Sequence, residues 1–180
     1  MSITTRRAGS HDADVLHDVA ARTFELACPP GTEQADIDAF IAAHLSSGSF
    51  VRYLADPDRI ILLVLDGDTP EGYAMLVGGP ITDPDVSAVV DEKTGIELSK
   101  FYLVPERHGS GAAAALMVAT IDAAAGTGAE FCWLGVNQQN SRAARFYAKH
   151  GFEVVGVRRF LVGHEWHDDH LRRRPLTGAA

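Results

Sequence analysis

The period of apolar and polar positions changes several times along the chain, and each change marks an element. The β-branched stretch Ile3 to Arg7 predicts a short strand, and Ser10-His11 introduces a helical stretch. From Ala13 to Leu26 apolar residues return near helical spacing, at Val15, Leu16, Val19, Ala20 and Phe24, ahead of Pro29-Pro30. A second helix is expected from Glu33 to Leu45, with Thr32 as its cap and Ile37, Phe40, Ile41 and Leu45 on one side. Phe50 to Leu54 predicts a helical turn stopped by Asp56-Pro57. Ile60 to Leu65 and Gly72 to Val77 read as a hairpin across an Asp-, Gly- and Pro-rich turn. Gly78 to Gly95, with its Gly-Gly-Pro and Asp-Pro-Asp runs, reads as a mobile loop. A strand then covers Ile96 to Val104, a helix runs from the Gly109-Ser110-Gly111 turn to Gly126, and a strand spans Glu130 to Val136. A last helix is expected over Ser141 to His150, followed by a closing hairpin near Glu153 to Arg159 and Trp166 to Leu171.

The order βααββ, βαβα, ββ predicts a mixed α/β sheet, and 180 residues without a long linker predict one domain over 1–180. With 46% apolar and 22% charged residues, the composition is that of an ordinary globular protein. No apolar run is long enough for a bilayer, and Met1 to Ser10 lacks the apolar core of a secretory signal, so a cytoplasmic location without membrane contact is expected. Cys28 and Cys132 match no metal or redox spacing and read as buried free thiols. A formal charge of −8 argues against nucleic acid as partner and suits a cationic substrate; Arg172, Arg173 and Arg174 read as a solvated tail.

The strongest chemical signal is the segment from Tyr102 to Met117, where a strand stops at Pro105, glycines 109 and 111 free the backbone, and a helix begins at once. Free amides at a helix start, reinforced by the helix dipole, receive phosphate, and small Ala112 and Ala113 permit close approach. A nucleoside-triphosphate loop would continue Gly-Lys-Ser or Gly-Lys-Thr, whereas Gly111 is followed by Ala112. A dinucleotide fingerprint needs a third glycine and an acidic residue ending the next strand, which here ends Val136-Asn137. Two readings stay open: a tight turn, or a pyrophosphate loop of another type.

Downstream, Asn140 to Phe152 reads as a helix capped by Asn140 and ended by Gly151 in a left-handed conformation, with Phe152 packing back on its last turn. Together, the Gly109 to Ala113 loop and the pattern Asn140, Ala143, Tyr147, Gly151-Phe152 resemble the two motifs of the GNAT superfamily of N-acetyltransferases. The resemblance implies a single α+β domain with a mostly antiparallel sheet and flanking helices, and acetyl-CoA as co-substrate. It places the cofactor on the loop His108, Gly109, Ser110, Gly111, Ala112 and Ala113, with His108 where the family has Gln or Arg. It also places cofactor contacts on the strand backbone Phe101, Tyr102, Leu103 and Val104, and on Asn137, Asn140 and Tyr147. Tyr147 would protonate the departing thiolate; read from the residues alone, it is a core aromatic beside Ala143 and Phe146. Asn140 likewise reads as either a pantetheine contact or a helix cap alone. Trp133-Leu-Gly-Val, Phe146 to Phe152, and Phe160-Leu-Val-Gly ahead of Asp169 resemble more closely the PaiA-type polyamine N-acetyltransferases. Relatives in the superfamily are often homodimers.

An alkylamine with a pKa near 10 costs roughly 4 kcal/mol to deprotonate at pH 7, so a base is expected. Strand alternation puts Glu97, Ser99, Phe101 and Leu103 on one face and Ile96, Leu98, Lys100, Tyr102 and Val104 on the other. Glu97 resembles the glutamate base of many GNAT members; the alternative is a solvated charge at the strand end. Without a cysteine near the motifs, direct attack in a ternary complex is expected. His164, His167 and His170 are three apart in a predicted strand and cannot converge, so they read as exposed hairpin residues and no metal is expected. The acceptor expected is a primary amine, a polyamine by the closer resemblance. The alternatives are a protein N-terminus, a lysine or an aminoglycoside. A non-catalytic acyl-CoA-binding regulator and a nucleotide-binding module are the readings from other classes.

Overall fold

The computed structural model describes residues 2–91, 93–104, 109–162 and 164–176. Seven strands, β1 (Ile3–Arg7), β2 (Arg59–Asp66), β3 (Thr69–Val77), β4 (Gly95–Leu103), β5 (Phe131–Asn137), β6 (Glu153–Val162) and β7 (Glu165–Pro175), join in the order β1-β2-β3-β4-β5-β7-β6. The sheet is mixed: β4 and β5 run parallel, while β1/β2, β5/β7 and β6/β7 are antiparallel. Helices α1 (Ala13–Ala27), α2 (Gln34–His44), α3 (Ser47–Ala55), α4 (Pro84–Ser87), α5 (Ala112–Gly126) and α6 (Ser141–Lys149) flank it, giving the α+β class expected. Among the described residues no helix is long and apolar enough to cross a membrane.

The chain forms two compact units, one of Met1–Met75 with Lys100–Thr120, the other of Leu76–Ser99 with Ile121–Ala180. In the first, α1 buries Leu16, Val19 and Ala20, and Phe50 of α3 meets Tyr73 of β3 edge-on at 5.8 Å. The helical turn expected at Phe50 is a full helix from Ser47, because Ser46 accepts from the Ser49 amide and caps it. Thr32 does not cap α2; its hydroxyl bonds the Pro29 carbonyl and Glu33 takes the cap position.

An ion pair between a buried carboxylate and a partly exposed arginine fixes the entry to α1. Asp12 is 2% exposed and accepts from both Arg6 Nη atoms at 2.8 Å and from the Gly9 amide at 2.7 Å. The Arg6 bonds, with help from Gly9 and against the opposing effect of burial, hold its carboxyl down at about 2. Since the folded value lies below the ordinary 3.9, this stabilisation is present above about pH 4 and fades as pH falls toward 2. Asp12→Asn is expected to cost about 2 kcal/mol in urea unfolding at pH 7 and to lose less stability than the parent between pH 4 and 2.

In the second unit, the stretch read as a mobile loop is instead anchored by α4. Asp83 caps it, Pro84 occupies the first turn, and Val86 and Val90 bury themselves with Phe131, Trp133 and Leu171. The Asp-Pro pair was a helix start, outweighed in the sequence reading by the glycines around it. Arg172 and Arg174 are strand residues rather than a tail: they donate to the Phe152 and His150 carbonyls at the end of α6. Of the three histidines expected to be exposed, only His164 is: the His167 side chain is 16% exposed and His170 is half-buried. Cys132 is buried, but Cys28 is only half-buried.

Candidate active site

Strands β4 and β5 pair only over Gly95↔Phe131, Ile96↔Cys132 and Glu97↔Trp133. From Leu134 onward β5 keeps β7 as its neighbour, down to Asn137↔Asp169. Glu97 therefore ends the paired stretch. Ile96 and Leu98 on either side of it are buried, so alternation turns Glu97 to the other, half-open face. There it lines a cavity of about 200 Å³ with segment 77–83, Gly95, Trp133 and Arg158.

Farther along β4 the four backbone positions expected at the cofactor separate. The Val104 amide donates to the Glu71 carbonyl at 2.8 Å, and the Tyr102 carbonyl lies so near Gly72 that a Cβ there would sit 2.5 Å from it. These two face β3, and Val104 N–H is not available to a ligand. By alternation Phe101 and Leu103 turn their backbone groups away from β3. Of the expected backbone contacts, only these two have a suitable direction.

Gly109 and Gly111 both adopt φ +88°, with open space where a side chain would stand. Only glycine takes that conformation without strain. Helix α5 starts one residue later at Ala112, whose amide donates to the Ser110 hydroxyl oxygen at 3.3 Å. Ala112 is buried and Ala113 half-buried. His108 lies outside the described residues.

In the second unit, Asn137 and Asn140 each commit a side-chain oxygen locally, to the amides of Gln139 at 2.9 Å and Ala143 at 3.1 Å. Asn140 is thus the helix cap, and any ligand contact falls to its side-chain amide nitrogen. At the other end of α6, Gly151 (φ +85°) places its amide on the Ala148 carbonyl and that of Phe152 on the Tyr147 carbonyl. This double bond pattern brings Phe152 back onto the last turn, 5.8 Å from the half-buried Tyr147 ring, with Phe146 at 5.6 Å on another side. Tyr147 is held as an aromatic by these neighbours; it is not among the residues that line the Glu97 cavity.

Residues 20–152 match the acetyltransferase (GNAT) family. Relatives from Mycobacterium tuberculosis and Mycobacterium bovis, each named an uncharacterized N-acetyltransferase, are 48% identical over 166 residues, 92% of this chain and 99% of theirs. The chain belongs to the GNAT acetyltransferase family. It is an N-acetyltransferase, and enzymes of this family use acetyl-CoA as co-substrate. Its fold is similar to that of the PaiA N-acetyltransferase of Thermoplasma acidophilum, solved with coenzyme A, at a TM-score of 0.75 and 21% identity over 97% of this chain and 99% of that one. It is also similar to the yncA acetyltransferase structure of Salmonella typhimurium with acetyl-CoA, at a TM-score of 0.68 and 20% identity over 100% and 97%.

The residues present fit such a co-substrate. A pyrophosphate group needs backbone donors without side-chain crowding, and two left-handed glycines before the N-terminus of a 15-residue helix are compatible with that need. What the sequence reading missed is Arg158. Its Nε donates to the buried Asp169 at 3.3 Å, and its guanidinium rests against Gly135 of β5. Burial pushes the Asp169 carboxyl up, and the adjacent Arg158 opposes that shift. The available signal was Gly135 itself, a glycine between Leu134 and Val136 in mid-strand, which marks close approach of another group.

Proposed function

We propose that this enzyme acetylates a small primary amine by direct transfer in a ternary complex, with Glu97 as general base and Tyr147 as general acid. The observation that carries the reading is Glu97 at the end of the β4/β5 pairing, in the wall of a cavity large enough for a small acceptor. The amine nitrogen bonds to the acetyl carbon while the carbon–sulfur bond breaks. Glu97 takes one proton of the ammonium before attack, the CoA thiolate takes one from the Tyr147 hydroxyl, and the second proton lost by the nitrogen returns to the Tyr147 oxygen. Backbone N–H on the Phe101 and Leu103 side of β4 would polarise the thioester carbonyl, while the Gly109 to Ala113 turn would hold the pyrophosphate. Support for direct transfer comes from the cysteines. Burial pushes the Cys132 thiol up to about 12 and raises that of Cys28, so neither is an activated nucleophile at neutral pH.

The polyamine implied by the PaiA resemblance is the acceptor this reading tests first, favoured by the net charge of −8. Release of CoA thiol from acetyl-CoA is measured across spermidine, spermine, lysine, aminoglycosides, amino acids and short peptides. Saturable turnover with a small amine, by intersecting rather than parallel initial-rate lines, is the expected result. Tight CoA binding with no turnover on any amine would move the function to the regulatory class.

A further inference from the structure

Arg158 extends beyond the pairing that anchors it. On β6 it stands directly opposite Asp169 of β7, and Nε bonds that carboxylate at 3.3 Å. A cross-strand ion pair is complete there, above β7. The side chain nevertheless continues to β5, where an added Cβ on Gly135 would lie 2.5 Å from Nη2 and 2.8 Å from Cζ. Strand β5 thus lacks a side chain at the one place where this guanidinium crosses it, although an interior glycine weakens a strand. Arg158 is also one of the residues that line the cavity with Glu97. Its side chain is 16% exposed and that of Asp169 is 9%, so Asp169 fixes the guanidinium in a poorly hydrated place where charge is weakly screened.

The cavity wall therefore carries both signs of charge, negative on the carboxylate residues Glu97 and Asp83, the latter also the cap of α4, and positive on Arg158. An acceptor with only cationic nitrogens matches the first and meets repulsion at the second. One with an amine and a carboxylate matches both, and the planar fork of an arginine suits a carboxylate. About 200 Å³ is also below the usual range for drug-sized ligands, so the molecule is small. Building on the acetyl-transfer reading above, we infer that the acceptor is a small amino acid, its amine placed at Glu97 and its carboxylate received by Arg158.

The test compares kcat/KM for α-, β- and γ-amino acids with that for the matching amides and for spermidine, in the parent, Arg158→Lys and Gly135→Ala. Arg158→Lys keeps a cation beside Asp169 but loses the fork; Gly135→Ala keeps the arginine but displaces it. The expected result is a preference of at least about tenfold for one acid over its amide, lying mainly in KM, which both variants reduce to near unity. Equal or better use of amides or spermidine by the parent would overturn the inference and leave acetyl transfer standing. If no amine is turned over, transfer itself fails, and calorimetry on the CoA-loaded protein decides the rest. Binding of N-acetyl amino acids in preference to their amides, lost in both variants, upholds the Arg158 site; equal or absent binding overturns it.

Discussion

Glu97→Gln is expected to lower kcat/KM for amine acetylation at pH 7 by about 10²- to 10⁴-fold. The change keeps the size and polarity of the side chain and removes only its capacity to accept a proton. Since Glu97 stands between the buried Ile96 and Leu98 and pairs with Trp133, the strand has reason to keep its register in the variant. An acceptor amine with a pKa near 10 is about one part in a thousand neutral at pH 7, and without a base only that fraction reacts. The variant's rate should therefore climb about tenfold per pH unit toward the amine's own pKa, while the parent's profile stays flatter because the proton leaves inside the complex. Steady-state rates from pH 6.5 to 9.5 make the comparison. A loss below about threefold, or two parallel profiles, would remove Glu97 from the base role and leave it a structural carboxylate.

Most of the order of elements along the chain was legible because the strands and helices carry clean periods, and because Asn140 and Gly151 punctuate α6 with residues that only caps and left-handed turns require. The same reasoning placed Gly109 and Gly111 in the turn before α5, where the structure gives both φ +88°. It failed where local composition and tertiary packing disagree. Gly78 to Gly95 looked like solvent-exposed loop by its glycines and acids, yet Val86 and Val90 anchor it by burial against Phe131 and Trp133, residues about 40 positions away that no local window includes. The three arginines near the C-terminus looked like a tail for the same reason: their partners, the Phe152 carbonyl for Arg172, the Phe131 ring for Arg173 and the His150 carbonyl for Arg174, are defined by the fold. Arg158 was missed because its meaning depends on two other strands, Asp169 opposite it and Gly135 beneath it. Strand alternation correctly separated Glu97 from its neighbours, but could not show that the Val104 amide is already bonded to Glu71.

Tyr147→Phe is expected to reduce kcat by about 10²-fold, the lower end of the range for loss of a general acid. The reason for the lower end is the leaving group. A thiol with a pKa near 8.5 departs tolerably as a thiolate, so protonation assists the step without being indispensable. Phenylalanine is the informative replacement because the ring's position is determined by packing: Phe152 lies 5.8 Å away, Phe146 5.6 Å away, and the Tyr147 carbonyl accepts from the Phe152 amide whatever the side chain. The variant should thus bind CoA as the parent does, and the loss should appear in kcat with the KM for acetyl-CoA changed by less than about threefold. Acyl donors with a better leaving group, such as an aryl thioester in place of the CoA thioester, should narrow the gap between variant and parent, because a weakly basic thiolate needs no proton. A defect that stays the same size with the activated donor would mean that the hydroxyl positions the substrate. Full activity in Tyr147→Phe would instead leave Tyr147 as the core aromatic that its ring contacts already make it.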